Sequence, residues 1–257
     1  MCEKTLSSKS LRATLLCFLF YNLFLPLSLH AQPSSEQFWV EYMANYSFAN
    51  SFNLENAFTY SMELHTPRWK ALDYAPTLEY SVGTHLDLSL GATFSYTIQS
   101  EDYNTFEARP VLGARIHFTP NKRILTRVYF RIEQRNIKNL ETKDWETTFR
   151  PRARIEALIP ISKKSYYEDK LWYGIVDAEW FFTNDQDVDE RFANRFRSRV
   201  GLGYRLHYGS RFEFVYMFQE SKNNIEDTFY TSDSIFRLRY KHFLRRHKPT
   251  RLGGTGN

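Results

Sequence analysis

The segment Phe52-Asn53-Leu54-Glu55-Asn56-Ala57-Phe58-Thr59-Tyr60-Ser61-Met62-Glu63-Leu64-His65 alternates large apolar with polar residues. Successive side chains of a strand point to opposite faces, so this segment has one face that is oily but for Asn56 and one that carries the polar groups. The pattern returns in segment after segment, as in Leu88-Ser89-Leu90-Gly91-Ala92-Thr93-Phe94-Ser95-Tyr96-Thr97-Ile98. A soluble sandwich or lipocalin-like barrel would have to bury all of these oily faces in one small core. The pattern instead predicts an all-β, antiparallel transmembrane β-barrel, with one strand face towards lipid and the other towards a closed interior.

Alternation and turn residues mark strands near 37–48, 51–65, 74–84, 86–99, 105–119, 122–135, 144–160, 169–182, 191–208, 210–221 and 229–243. Eleven segments are read, but bacterial single-chain barrels commonly have an even number of strands, so twelve are expected, with ten as the alternative. Tight connections (Gly83-Thr84-His85, Pro120-Asn121-Lys122, Tyr208-Gly209-Ser210) alternate with longer polar ones at 65–74, 99–105, 136–144, 183–190 and 222–229. Trp39, Trp145, Trp172, Trp180, Phe182, Tyr204 and Tyr230 fall near strand ends, where amphipathic rings suit a membrane interface.

Residues 1–31 have the layout of a secretion signal: Lys4, Lys9 and Arg12, an apolar run from Leu15 to Leu29, and a small residue at Ala31. Asn22 and Pro26 interrupt the run, which falls short of the ~20 residues of a spanning helix. The expected division is a cleaved signal at 1–31, a barrel at 32–243 and a basic tail at 244–257. Both cysteines, Cys2 and Cys17, lie in the signal, which excludes disulfides and thiolate chemistry from the mature chain. The chain carries a net +5, but Lys241 to Asn257 holds five bases and no acid, leaving Gln32 to Tyr240 with 26 bases against 28 acids. The basic character thus belongs to the end of the chain, and no nucleic-acid partner is expected. Outer-membrane lipids are the expected surroundings.

Phe38-Trp39 soon after the signal, the hairpin Leu78-Glu79-Tyr80-Ser81-Val82-Gly83 into Leu88-Ser89-Leu90-Gly91, and the arginine-bearing Phe149-Arg150-Pro151-Arg152-Ala153-Arg154-Ile155-Glu156 carry a resemblance. In these features the chain resembles the outer-membrane barrel family catalogued as domain of unknown function 2490, found in Gram-negative bacteria. The resemblance implies an outer-membrane barrel of unassigned role and carries over no catalytic residue.

The polar face is rich in arginine. By the phasing of the strands, Arg131 with Glu133, then Arg150, Arg152, Arg154 and Glu156, face inward. So do Asp177 and Glu179, and Arg195, Arg197, Arg199 and Arg205; together these residues form the expected lumen charge network. Interleaved acids and bases predict a salt-bridged plug. The alternative is a narrow pore or pocket whose unpaired guanidinium groups would take a small anionic solute. A lipid-modifying hydrolase is the competing class, but it needs a serine within reach of an oriented histidine. The chain has no His-x-Ser: His117 precedes Phe118-Thr119, His85 precedes Leu86-Asp87, and His207 precedes Tyr208-Gly209-Ser210. No enzyme activity, cofactor or metal is expected. Asp185-Gln186-Asp187-Val188-Asp189 has Glu190 where a calcium loop needs glycine and reads as a solvated loop. Gly201-Leu202-Gly203 is read as making room for inward arginines.

Overall fold

The computed structural model describes residues 35–49, 51–65, 69–99, 104–120, 122–182, 195–222 and 229–244. The expected signal, the loop at 183–190 and all but Leu244 of the basic tail lie outside the described residues. Eleven strands form one closed barrel: β1 (Ser35–Ala49), β2 (Phe52–Glu63), β3 (Lys70–Val82), β4 (Leu86–Ile98), β5 (Thr105–His117), β6 (Leu125–Asn139), β7 (Trp145–Pro160), β8 (Leu171–Phe181), β9 (Arg195–His207), β10 (Ser210–Lys222) and β11 (Phe229–Phe243). Each strand pairs antiparallel with the next along the chain.

Closure departs from the expected twelve strands. β11 pairs with β1 in parallel, from Ser35 beside Asp233 to Asn45 beside Phe243. An even count is needed only if the first and last strands meet antiparallel, so parallel pairing lets the barrel close on the eleven segments visible in the sequence. Its consequence is that β1 begins at the end of the barrel with the longer connections, whereas β11 finishes at the end with the tight turns. The seam is tied at the first of these ends by the Ser35 hydroxyl and the Gln37 amide on Asp233 Oδ1, and at the other by Leu244 N on Asn45 O at 2.9 Å.

The outward faces are apolar from strand to strand, with Leu72, Leu90 and Leu112 each about 60% exposed. Prolines interrupt the ladder on this side because they lack a donor. Asn136, next to the gap that Pro110 makes, donates its amide to the Ala108 carbonyl at 3.0 Å. Asn56, the one polar residue on the outer face of β2, stands opposite Pro76 and accepts the Tyr74 hydroxyl at 2.8 Å. Trp145, Trp172, Trp180 and Phe182 are exposed on the outside as expected; the Tyr230 side chain lies outside the described residues. Trp39 is not among the outward rings. It shares the phase of buried Gln37, donates to Gln37 Oε1 at 3.0 Å and lies under the Arg237 guanidinium, 4.5 Å from it, so it belongs to the lumen.

The lumen is filled unevenly. β2 to β4 present small inward residues such as Ala57, Ser61, Ala75, Thr77, Gly91 and Ser95, whereas β6 to β11 present long charged chains. Two tyrosines lie flat across glycines of the neighbouring strand: Tyr129 over Gly113 and Tyr173 over Gly203. The glycines at 201 and 203 therefore do not make room for arginines; Gly203 admits the Tyr173 ring, and Gly201 lets the Phe214 carbonyl and Val215 of the next strand approach. Tyr173 joins Leu158, Tyr166, Leu171, Ile175 and Val215 in an apolar layer across the turn end. Tyr166 comes from the connection between β7 and β8, which folds inward. A methyl at position 203 would overlap the Tyr173 ring, so Gly203→Ala should lose about 1–3 kcal/mol through overpacking. At Gly174 the nearest atom is 3.9 Å from an added Cβ, so Gly174→Ala should leave the urea unfolding midpoint in detergent nearly unchanged.

Candidate functional site

The chemistry of the lumen follows from strand register. On β6 and β7 the bases Arg131 and Arg152 stand directly opposite one another, and on β7 and β8 so do the acids Glu156 and Asp177. Like charges in directly opposed positions are destabilising, so Arg131 and Arg152 reach past one another to acids further along the neighbouring strand or one strand beyond it, while Glu133 with Arg150 and Asp177 with Arg199 pair directly across. Arg152 reaches Glu133 on one side and Glu179 Oε1, at 2.6 Å, on the other. Glu133, 1% exposed, also accepts Arg150 at 2.9 Å. Glu179 is wholly buried and accepts Arg131 at 2.7 Å and Arg199 at 2.6 Å, and Arg199 also holds Asp177 at 2.5 Å. Two carboxylates on β6 and β8 thus anchor four guanidinium groups from three strands, β6, β7 and β9. Burying such charges is tolerated only when they are paired and hydrogen-bonded.

Above this pair of acids, towards the loop end, the guanidinium groups of Arg150, Arg152 and Arg197 surround the Phe181 ring at 5.1, 4.2 and 4.9 Å from its centre. Arg197 donates from Nε to Gln219 Oε1 at 3.1 Å, with its nearest carboxylate oxygen, on Glu179, at 3.9 Å. Arg154 is less well served still: Glu156 Oε2 is 4.0 Å away, because Glu156 is held by Arg127 at 2.5 Å.

Of the residues anticipated for the network, Arg131, Glu133, Arg150, Arg152, Asp177, Glu179, Arg197 and Arg199 are brought together in the lumen, with Arg154 and Glu156 beside them. Arg205 is not part of that cluster. It lies 3% exposed at the turn end, bonded to the Tyr166 carbonyl at 3.2 Å and 3.4 Å from Asp169, and it pins the inward-folded connection. Arg195 lies on β9 opposite Phe181, and its side chain is outside the described residues.

Three further groups complete the lumen. Glu41 accepts Arg239 at 2.5 Å and lies 3.5 Å from Arg237, while Glu213 accepts Arg239 and Lys241 at 3.0 Å each and the Tyr173 hydroxyl at 2.7 Å. Arg109 and Arg135 share Glu107, and Arg115 holds Glu79 at 2.8 Å. Arg237, Arg239, Lys241 and Glu41 escaped the sequence reading, although Phe236-Arg237-Leu238-Arg239-Tyr240-Lys241 alternates as plainly as any segment. Lys241 was counted with the basic tail because it opens an acid-free run, yet it is a lumen residue.

Among the described residues the histidine nearest to an acid is His117, whose Nε2 is 2.7 Å from Asp87 Oδ2; the other oxygen of Asp87 accepts the Ser81 hydroxyl at 2.7 Å. The carboxylate stands between the imidazole and the hydroxyl, which is not the order that activates a serine. Among the described residues no three metal-ligating side chains converge.

Residues 36–231 match the profile of the family described as Protein of unknown function (DUF2490). No curated protein matches the chain.

Proposed function

The chain belongs to the DUF2490 family, and we propose that it is an outer-membrane β-barrel of the Gram-negative envelope, without enzyme activity, whose lumen is closed by ion pairs. The carrying observation is the convergence of Arg131, Arg152 and Arg199 on buried Glu179. Side chains committed to one another across the lumen are not arranged to pass a solute. The apolar layer around Tyr166 and Tyr173 supports a second seal at the turn end. A belt of exposed leucine and aromatic side chains around a closed sheet supports a lipid environment, where every backbone polar group must be paired internally. With the tight turns in the periplasm, β1 would start on the cell-surface side. Such a protein would contribute to envelope structure.

A narrow anion-preferring pore is the second reading, favoured by Arg197, which faces a neutral amide at hydrogen-bond distance rather than a carboxylate. Protein purified from outer membranes and reconstituted in planar bilayers separates the two. The expected results are a gel mobility that changes on boiling, as for detergent-resistant barrels, and no stable single-channel current. A steady anion-selective conductance would replace the closed barrel with the pore.

A further inference from the structure

A small cavity lies in the lumen between the charged cluster and the apolar layer. Four cationic groups border it, Arg154, Arg199, Arg239 and Lys241, against three carboxylates, Glu156, Asp177 and Glu213. Each carboxylate is already engaged: Glu156 by Arg127, Asp177 by Arg199, and Glu213 by Arg239, Lys241 and the Tyr173 hydroxyl. Arg154 is the cation left over. Its nearest carboxylate oxygen is 4.0 Å away, its Nε is buried without a hydrogen-bond partner, and its remaining neighbour is the Tyr129 ring at 5.7 Å. A guanidinium cannot shed its charge in a protein. An interior cation without a counter-charge is strongly disfavoured.

We propose that this cavity binds a small monovalent anion of chloride size, held by the Arg154 guanidinium with Lys241 and Arg239 as the flanking cations. The free space is about that of one water-sized particle, so a halide, somewhat larger than water, enters with a small displacement of the lining side chains, and a carboxylated sugar or a phosphate ester is excluded. The anion supplies the charge that the shared Glu156 cannot, and it joins the ion pairs of β7 to those of β11 and β10. This goes beyond the closed-barrel reading and holds whether or not the lumen conducts, since the ion is a resident counter-charge and not a passing solute.

The test is made on the full chain refolded into detergent. Protein refolded and crystallised in bromide should give an anomalous scattering peak in the cavity beside Arg154. Water alone in the cavity, or bromide only elsewhere, would overturn the proposal. In solution, chloride at about ten times its Kd should raise the folded-to-unfolded ratio about tenfold over gluconate at equal ionic strength, gluconate being too large to enter. Arg154→Met should abolish that difference, whereas Lys138→Met, on the outer face, should keep it. Equal stability of the unsubstituted protein in the two salts would also reject the site. If Arg154→Met does not fold, the bromide peak in the unsubstituted protein decides.

Discussion

Glu179→Gln is expected to destabilise the barrel by about 3–5 kcal/mol, the usual cost of removing one partner from a buried ion pair, and it should be the most damaging single change in the lumen. The amide keeps the shape of the side chain and removes only its charge. Arg131, Arg152 and Arg199 donate to this one carboxylate at 2.6–2.7 Å, so three guanidinium groups would lose a shared counter-charge together, with Arg152 left to Glu133 and Arg199 to Asp177. Arg199→Ala should follow closely, because it leaves Glu179 and Asp177 facing each other on β8 without the base between them. Arg197→Ala should cost less, since its closest acceptor is the neutral Gln219. Urea unfolding midpoints in detergent, with the fraction of compact protein on unboiled gels, give the ranking. A midpoint unchanged in Glu179→Gln would show that the pairs do not hold the barrel together. If conductance then appeared in the unsubstituted protein and fell on arginine removal, the pore reading would stand.

Leu90→Arg is expected to cost roughly 2–4 kcal/mol, because a charge on the outer wall near mid-strand would sit in hydrocarbon. Leu90 is 58% exposed on the outside of the barrel. The same test locates the membrane: in a soluble barrel an added surface arginine would be nearly neutral. The inward control cannot be the adjacent Ser89, though alternation alone recommends it. Ser89 is buried, its hydroxyl is 2.9 Å from that of Tyr129, and the space over Gly113 beside it is already filled by the tyrosine ring. Thr97, inward and partly open near the loop end, is the better position, and Thr97→Arg should lower the refolding midpoint far less than Leu90→Arg does.

The failure of Ser89 as a control shows where sequence reading stops. The phase of each strand was legible because the pleat fixes it: Leu90 and Ser89 must face opposite ways, as must Arg199 and Val200. The eleven segments were legible for the same reason, as was the inward direction of nearly every arginine named. Parallel closure was not, because the number of strands was inferred from how other barrels close and no residue within β1 or β11 encodes its partner. Trp39 was misplaced because an aromatic near a strand end suits an interface, while its odd number, shared with Gln37 and Glu41, already assigned it to the lumen.

What the sequence determined by itself was a set of strands with a fixed oily side and a fixed charged side, since side-chain direction along a strand is a local property of the backbone. Which charges meet was decided by the tertiary structure. Arg131 lies opposite another arginine, whereas Glu133 lies opposite Arg150 and Asp177 opposite Arg199, so which ion pairs form is fixed only once the register between strands is set. The same register lays Tyr173 across Gly203, brings Lys241 to Glu213 and leaves Arg154 without a carboxylate of its own. These are distances between strands, and a period-two pattern, which repeats identically after every two residues, carries no information about the height at which one strand meets the next.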